Sequence, residues 1–386
     1  MSIVLNDPLT SRAPATSQVA ARLRQRIRSG DLVVGECLPP ERKLAESIGV
    51  ARGTIRAALQ QLVSEGFIDQ QGYRRRVRSI PRAESGVLSS TVGILATRRH
   101  SVVTPNASGW ESFVEVGAMQ QAREAGLNAL ILHAETLEQP GAIDQLLEHP
   151  PRGVVVCSAA YRRPGVIKLL NNVRQAGVAV VIEGDPTGGE TYDRVLSDHA
   201  AGAHLLTSYL LARGRTRIVY LLPASPTQQY WVRHRLEGYR QAMSESGHPA
   251  LEPIMSGPLA GNTHEQDLFD VAVMQTLGYL VDYQRRVGAF DAIMCASDGQ
   301  VCQVASALRK LGLVPQKDVL ITGYDNFWED LPERKWETTL PLATADKQNM
   351  EIGRRLVRLL TDDTGPQNEP RVEMIQPRLV EVTSAS

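Results

Sequence analysis

Arginine side chains near the N-terminus carry the clearest chemical signal in this sequence. The residues that could contact a polyanion are Arg42, Arg52, Thr54, Arg56, Tyr73, Arg74, Arg75 and Arg76. A guanidinium group presents a planar fork of N–H donors that fits a phosphate, or the O6 and N7 atoms of guanine. Arg52 and Arg56 are four positions apart, so on a helix both would point into one groove of a duplex. The pattern predicts contact with nucleic acid, and a solvated basic surface is the alternative.

The charge of the chain is segregated. The sequence has 386 residues and a formal net charge of zero, but residues 1–90 contain 14 Lys or Arg against 8 Asp or Glu. That segment therefore carries +6 and the remainder carries −6. A small basic unit attached to a larger acidic one is typical of a protein that binds a polyanion with the first and another partner with the second.

The elements that must position these arginines follow from hydrophobic periodicity. Apolar residues recur at helical spacing around 19–27, 44–48 and 55–62. Pro40 and Glu41 suit the first turn of the second helix, and Gly66 suits the end of the third. A strand from Phe67, a turn and a returning strand over 74–78 follow. The order predicts a winged helix-turn-helix (α+β) DNA-binding domain over residues 15–80.

The rest of the chain has a different pattern. Residues 81–91, PRAESGVLSST, are polar and small, which predicts a linker. From residue 92 onward, short apolar runs such as GVVVC and VAVVIE alternate with longer amphipathic segments. Strands of this kind separated by helices indicate parallel sheets that are covered on both faces. Two such series predict a two-lobed α/β domain over 92–386, with a ligand cleft at the carboxyl ends of the strands.

Residues 29–68, SGDLVVGECLPPERKLAESIGVARGTIRAALQQLVSEGFI, resemble the N-terminal domain of the GntR family of regulators almost position by position. The resemblance implies DNA contact by Arg42, Arg52, Thr54 and Arg56, with Gly72 of the wing approaching the minor groove.

Two positions depart from the GntR pattern. Ala51 replaces the serine that usually caps the recognition helix, and such a loss of capping costs about 1 kcal/mol. In the wing, QGYRRRV replaces the usual GxGTxV, and its added arginines favour binding to phosphate.

Residues 92–383 resemble the periplasmic-binding-protein-like domain of LacI/GalR regulators, placed behind a GntR head as in arabinose-repressor-type proteins. The matching segments are DRVLSDHAAGAHLLTSYLLARGRTRIVYL (193–221), RLEGY (235–239) and DAIMCASDGQVCQVASALRKLGLVPQKDVLITGYDN (291–326). The resemblance implies a cleft lined by Glu183, Arg235, Ser297, Asp298 and Asp325. Ser297 stands where the family often has asparagine, so the identity of the ligand does not carry over.

Charged and aromatic residues of these types are the ones that sugar-binding sites use. Sugars need charged groups that exchange several hydrogen bonds with hydroxyls, together with a flat apolar face. Trp231, four positions before Arg235, and Trp110, near the end of the first strand, could supply that face. Packing within a lobe is the alternative for each tryptophan. Helix capping or hinge hydrogen bonding is the alternative for the acids, and a structural ion pair is the alternative for Arg235.

Other functional classes have little support in the sequence. The four cysteines are far apart or lie inside apolar runs, so we expect reduced, buried thiols and no metal site. There is no GxSxG, HExxH, P-loop or strand-linked GxGxxG motif, so we expect no catalytic residues and no cofactor. No apolar run approaches the length of a membrane span, and the N-terminus lacks a secretory pattern.

These patterns predict a cytoplasmic transcription regulator, a repressor, that binds double-stranded operator DNA. A small molecule, a sugar, would bind between the two lobes and change the spacing of paired DNA-binding heads. A homodimer suits this role, because two-fold symmetry matches a palindromic operator. An enzyme on the same α/β scaffold and a sugar-binding transport component are the alternatives.

Overall fold

The computed structural model describes residues 15–28, 32, 35–71, 74–78, 87–96, 109–139, 141–157, 160, 165–224, 230–257, 264–362 and 369–382. The chain divides into two compact units. The first comprises residues 1–93, 135–154 and 164–180, and the second comprises 94–134, 155–163 and 181–386.

The N-terminal part of the first unit is a winged helix-turn-helix, as predicted. Its helices are α1 (Ala15–Arg28), α2 (Glu41–Ile48) and α3 (Arg52–Ser64), and its wing pairs β1 (Ile68–Gln71) with β2 (Arg74–Val77) antiparallel. The apolar stripes of the three helices meet in one core, where Leu23, Ile55 and Leu59 are each at most 1% exposed. This core fixes the angle at which the first turn of α3 is presented to solvent.

Helix α3 begins without a side-chain cap. Its N-cap residue Ala51 has an extended conformation and makes no side-chain capping bond. The first N–H groups of α3 therefore lack the acceptor that a serine would supply at this position.

The remaining helices and strands alternate along the chain. The helices are α4 (Trp110–Glu124), α5 (Ala134–Leu137), α6 (Ala142–Glu148), α7 (Val166–Gln175), α8 (His199–Leu211), α9 (Tyr230–Glu245), α10 (Gln266–Arg286), α11 (Val301–Lys310) and α12 (Asn349–Thr361). The strands are β3 (Thr91–Ala96), β4 (Asn128–His133), β5 (Gly153–Val156), β6 (Ala179–Glu183), β7 (Asp193–Ser197), β8 (Ile218–Pro223), β9 (Ile254–Ser256), β10 (Ala292–Cys295), β11 (Leu320–Tyr324), β12 (Ala343–Asp346), β13 (Val372–Ile375) and β14 (Arg378–Glu381). Within the described ranges, no helix is long and apolar enough to cross a bilayer.

The strands form two six-stranded sheets. One has the order β14-β12-β11-β10-β8-β9, and the other has the order β13-β7-β6-β5-β3-β4. In the first sheet β9, β8, β10, β11 and β12 pair in parallel, which confirms the predicted parallel architecture. The last strand differs from that prediction, since β14 pairs antiparallel with β12 at the edge.

Both faces of the first sheet are covered. Val219 and Leu221 of β8 face a core that includes Phe269 of α10, whereas Tyr220 and Leu222 face a core that includes Tyr239 of α9. Alternate residues of one strand thus enter two cores, and this explains why the strand sequence is continuously apolar.

The predicted linker contains regular structure at its end. Val87–Ser90 form a 3-10 helix, and β3 begins at Thr91. Residues 81–86 lie outside the described residues.

The expectation of four buried thiols was wrong for Cys37, which is exposed, whereas Cys157, Cys295 and Cys302 are buried. Cys37 lies between α1 and α2, where its backbone bridges to Arg76 of the wing and its side chain stays outside the core.

Candidate operator-binding surface and effector site

Glu41, the first residue of α2, binds three of the arginines predicted to contact DNA. Its carboxylate accepts hydrogen bonds from Arg52 Nε at 3.1 Å, from Arg56 Nη2 at 3.0 Å and from Arg75 Nη1 at 3.0 Å. The Arg52 and Arg56 side chains remain 64% and 59% exposed, whereas that of Arg75 is only 14% exposed. Glu41 therefore links the start of α2, the first turns of α3 and the wing into one surface. The sequence had indicated only a helix-starting role for it.

The other predicted DNA contacts occupy the same domain. Arg42 is exposed on α2, 3.6 Å from Glu46, and Arg74 is exposed at the start of β2. Thr54 is half-buried in the first turn of α3. Gly72 and Tyr73 lie outside the described residues.

Glu41 should make the stability of this domain pH-dependent. Hydrogen bonds from Arg56 first, and then from Arg75, lower its pKa from 4.5 to about 2. Because the folded-state pKa lies below the unfolded value, the ionised carboxylate stabilises the fold above pH 4.5, and this contribution is lost as the pH falls toward 2. We expect the difference in unfolding free energy between the wild type and Glu41→Gln to shrink over that window.

The measurement is chemical denaturation of both proteins at several pH values. Glu46→Gln is the matched control, because Glu46 is exposed and the ion pair that it makes among the described residues, with Arg42, lies along α2. A constant difference between the wild type and Glu41→Gln at every pH would contradict the prediction.

Four charged side chains meet in the second unit, at the carboxyl ends of strands from both sheets. Lys347 Nζ donates to Glu183 Oε1 at 3.2 Å and lies 4.0 Å from Asp325 Oδ1. Arg235 Nη2 lies 3.8 Å from the same Asp325 oxygen. Each of the four side chains is at most 5% exposed. We call Glu183, Arg235, Asp325 and Lys347 the charged cluster.

Strand ends explain how the charged cluster forms. Glu183 is the last residue of β6, Asp325 follows β11 and Lys347 follows β12. Arg235 reaches the cluster from the second turn of α9 and donates from Nη1 to the carbonyl oxygen of Ala296, at 2.5 Å. The structure thus brings together the predicted Glu183, Arg235 and Asp325, and it adds Lys347.

Aromatic rings cover the two cations. The Arg235 Cζ atom lies 3.4 Å from the ring centre of Tyr324 and 4.6 Å from that of Trp231, and Lys347 Nζ lies 3.5 Å from the ring centre of Trp110. Cations are attracted to aromatic faces at such distances. The faces of Trp231 and Trp110, which the sequence assigned to sugar stacking, are therefore in contact with the chain's own cations in this structure.

Asp325 has an acceptor that no described residue satisfies. Its Oδ1 atom is buried and lacks a hydrogen-bond partner among the described residues. The backbone is held at φ +87°, where its N–H donates to Ala345 and its carbonyl oxygen accepts from Asn349 Nδ2, both at 2.9 Å. Burial raises the pKa of Asp325, while Lys347 and Arg235 oppose that shift. An unsatisfied buried acceptor costs about 1–3 kcal/mol, and a hydroxyl donor from a ligand would remove that cost.

Asp298 bonds the loop that carries Asp325, and Ser297 precedes Asp298 in the chain. Asp298 is completely buried, and its Oδ2 accepts the backbone N–H of Phe327 at 2.8 Å. It fits only because residue 323 is glycine, since a Cβ there would lie within 1.8 Å of Asp298 Oδ1. Burial raises the pKa of Asp298 to about 8. Ser297 Oγ accepts the Gly299 N–H at 3.2 Å. This geometry favours support of the loop that carries Asp325 as the role of Asp298, and capping of the 3-10 helix Asp298–Gln300 as the role of Ser297.

The chain crosses from one six-stranded sheet to the other several times, and hydrogen bonds link the crossover segments to one another. Among the described residues these passages lie at 198, at 347–348 and at 376–377. Gln348 Nε2 donates to the carbonyl oxygen of Gln376 at 2.6 Å, and Gln376 Nε2 donates to Asp198 Oδ2 at 3.2 Å. Lys347 of the charged cluster therefore adjoins Gln348, which is hydrogen-bonded to the crossover segment at 376–377.

Sequence reasoning missed three residues of this site. Lys347 follows β12, whose sequence ATAD lacks the large apolar residues that mark the other strands. Tyr324 lies inside the GYD motif but had no assigned role. His199 showed no sequence signal that would place it in this site, yet it is buried with Nδ1 3.4 Å from Arg235 Nε. Burial, together with Arg235, lowers the pKa of His199 well below its usual value, so the neutral ring accepts this bond.

Comparison with known families finds a match in each part of the chain. Residues 15–74 match the model of the bacterial regulatory proteins of the gntR family, and residues 207–384 match a periplasmic binding protein-like domain.

The curated relatives of the chain are named as transcription regulators. The chain is 23% identical over 320 residues to the arabinose metabolism transcriptional repressor of Geobacillus stearothermophilus, covering 81% of this chain and 82% of that protein. It is 24% identical over 342 residues to the HTH-type transcriptional regulator MalR of Streptomyces coelicolor, covering 86% and 88%. Against the HTH-type transcriptional repressor PurR of Vibrio atlanticus, the 25% identity covers 52% of this chain and 55% of the relative.

Solved structures share the fold. The transcriptional regulator CelR, in a cellobiose complex, aligns with a TM-score of 0.57 at 21% identity and covers 89% of this chain and 98% of that one. A LacI family regulator from Enterococcus faecium with bound ribose aligns with a TM-score of 0.56 at 18% identity, covering 75% and 97%.

The fold and the family matches together define a DNA-binding transcription regulator. Its N-terminal domain is of the GntR type, and its C-terminal domain is of the periplasmic-binding-protein-like type.

Proposed function

We propose that this chain is a cytoplasmic repressor whose affinity for operator DNA is controlled by a sugar bound at the charged cluster. The observation that carries the proposal is the buried arrangement of two carboxylates and two cations, each cation next to an aromatic face. A polyhydroxylated ligand matches this chemistry, because each hydroxyl can donate to a carboxylate and accept from a cation. The names of two relatives refer to arabinose metabolism and to bound cellobiose, which supports the same ligand class.

Lys347 suggests how the ligand would act. A hydroxyl that donates to Asp325 Oδ1 or Glu183 Oε1 competes with the Lys347 ammonium for the same oxygens. Displaced Lys347 would leave the ring of Trp110 open to a sugar face. Because Lys347 adjoins Gln348, this change would reach the bonded passages between the sheets, and a shift of one sheet against the other would follow.

On the DNA side, Arg52 and Arg56 would lie in the major groove of the operator. Two chains would bind as a homodimer, each head contacting one half of a palindromic operator. The sugar would then lower operator affinity because it binds best to one conformation of the dimer and the operator binds best to the other. No chemical turnover is assigned to the cluster.

The test is a thermal-shift screen of the full chain against pentoses, hexoses and disaccharides, followed by operator binding with the active compound. A ligand at 100 times its dissociation constant stabilises the native state by about 2.7 kcal/mol, which raises the melting temperature by several degrees. The same sugar should release the protein from an operator selected out of a random duplex pool. The proposal would be contradicted if no sugar stabilised the chain. It would also be contradicted if the protein bound no duplex from the random pool.

A further inference from the structure

An ammonium group lies inside the charged cluster, and it belongs to the chain itself. The Lys347 nitrogen lies 3.5 Å from the ring centre of Trp110, and it donates to Glu183 Oε1 at 3.2 Å. Asp325 Oδ1 lies 4.0 Å from the same nitrogen. We call the Trp110 ring and the carboxylates of Glu183 and Asp325 the ammonium site. An aromatic face beside carboxylates is an arrangement that binds organic cations in proteins.

Lys347 satisfies the ammonium site incompletely. An ammonium has three N–H donors, yet among the described residues Lys347 hydrogen-bonds one acceptor, Glu183. Its distance of 4.0 Å from Asp325 Oδ1 is too long for a hydrogen bond, and that buried oxygen has no hydrogen-bond partner among the described residues. Lys347 follows strand β12, so its backbone limits how far the nitrogen can move toward Asp325. An ammonium that is not attached to the chain has no such limit and can bond both carboxylates.

Two further carboxylates come from the first turns of α4. Glu111 and Glu115 are four residues apart and therefore share one face of that helix. Burial, and then neighbouring carboxylates that include Glu111 and Glu115, raise the pKa of the Cys157 thiol. Burial also raises the pKa of Asp325, and Glu111 adds to that shift. The negative charge of the region thus extends beyond the ammonium site.

Charge decides which kind of ligand can displace Lys347. Among the described residues of this region, the acids are Glu111, Glu115, Glu183 and Asp325, and the cations are Arg235 and Lys347. A neutral ligand that displaced the Lys347 ammonium would leave Glu183 without its cation, and a buried carboxylate without a partner is strongly destabilising. A ligand that carries its own ammonium replaces the charge that it displaces.

We propose that the ligand of the charged cluster is an amino sugar, and that its ammonium replaces that of Lys347 at the ammonium site. The inference rests on the proposed function, because it names the ligand class of the same cluster. Arg235, which is bonded to the carbonyl oxygen of Ala296, remains as a donor to the sugar hydroxyls.

The first experiment compares amino sugars with their neutral counterparts on the full wild-type chain. A thermal-shift screen of 2-amino- and 6-amino-hexoses selects a ligand, and calorimetric titration compares it with the parent hexose and with the N-acetylated form. We expect the amine to bind at least about tenfold more tightly than either neutral compound, because only the amine donates charged hydrogen bonds. Equal or tighter binding of a neutral compound overturns the inference, as does failure of every amino sugar to bind.

The second experiment removes the competing ammonium. Lys347→Met keeps the length of the side chain without its charge, so we expect the affinity for the amino sugar to rise by at least about threefold. Lys335→Met is the matched control and should leave the affinity unchanged. Lys335 also lies over a tryptophan, 4.1 Å from the ring centre of Trp336, but it is exposed and outside the cluster. A lower affinity in Lys347→Met would mean that Lys347 itself binds the ligand, and the inference would fail.

A third measurement keeps the test valid if Lys347→Met folds poorly. Lys347→Ala lacks Cγ, Cδ, Cε and Nζ, and n-propylammonium supplies the same four heavy atoms. We expect propylammonium chloride to raise the melting temperature of Lys347→Ala, and we expect no such rise with 1-propanol, with an equal concentration of sodium chloride, or in the wild type. The same response in Lys347→Ala to all three additives would exclude an ammonium site here.

The outcomes separate this inference from the proposed function. A neutral sugar that binds best and releases the operator overturns the amino-sugar ligand and leaves sugar-controlled repression intact. An amino sugar that binds best but leaves the operator bound supports the ligand class and contradicts the proposed regulation.

Discussion

Replacing Arg56 with alanine should weaken specific operator binding by about 1–3 kcal/mol, roughly 5- to 150-fold, and Arg52→Ala should have a similar effect. Both side chains are exposed on successive turns of α3, where their guanidinium groups can reach base edges. Their shared bonds to Glu41 hold both side chains on one exposed side of the domain, and in the proposed complex this side would face DNA. Because the two arginines share this partner, the effects of the single substitutions should not add in the double variant.

Titration of a labelled operator at fixed salt concentration measures this effect. A base contact should lower the preference for the cognate base at one operator position, whereas a phosphate contact should weaken all sequences equally and reduce the salt dependence. Arg233→Ala is the matched control, because Arg233 is also an exposed arginine paired with a glutamate, on helix α9 of the other unit. Wild-type affinity and wild-type salt dependence in both single variants would remove α3 from the interface.

The N-terminal domain could be predicted closely from sequence because its determinants are local. Apolar spacing around Leu23, Ile55 and Leu59 defines the three helices, and these same residues form the observed core. The role of Glu41 was not predictable in this way. Its three arginine partners lie 11, 15 and 34 residues away, and only the folded domain brings them together.

The C-terminal domain shows where local patterns are insufficient. The strongly apolar strands β3, β4, β5, β6, β8, β10 and β11 were predicted, whereas β7, β9, β12, β13 and β14 were not. Strand β12 has the sequence ATAD, and β13 and β14 are edge strands with exposed residues, so neither alternation nor an apolar run identifies them. Lys347 depends on β12 for its position and was missed for the same reason. Helix α12 was also missed, although Ile352, Leu356 and Val357 give it an apolar stripe.

Substitution at the charged cluster should separate ligand response from DNA binding. In Asp325→Asn the buried acceptor loses its charge, and hydrogen bonds to charged groups contribute about 1.5–3 kcal/mol. We expect sugar affinity to fall by roughly 10- to 150-fold, with operator affinity in the absence of sugar unchanged. Arg235→Ala should have a larger effect, because it removes the partner of Asp325 and also the cation between Tyr324 and Trp231.

The two variants differ in their risk to the fold, and this difference makes the test decisive. Arg235→Ala leaves Asp325 buried with only Lys347 to compensate it, and removal of one member of a buried pair costs about 3–5 kcal/mol. Asp325→Asn keeps the volume of the side chain and removes a carboxylate whose pKa is already raised by burial, so it should fold.

Glu237→Gln, on the exposed side of α9, makes the same chemical change outside the cluster. Sugar-induced release from the operator should persist in Glu237→Gln and disappear in Asp325→Asn. If Asp325→Asn still releases the operator at wild-type sugar concentrations, the ligand binds elsewhere and the charged cluster only supports the fold.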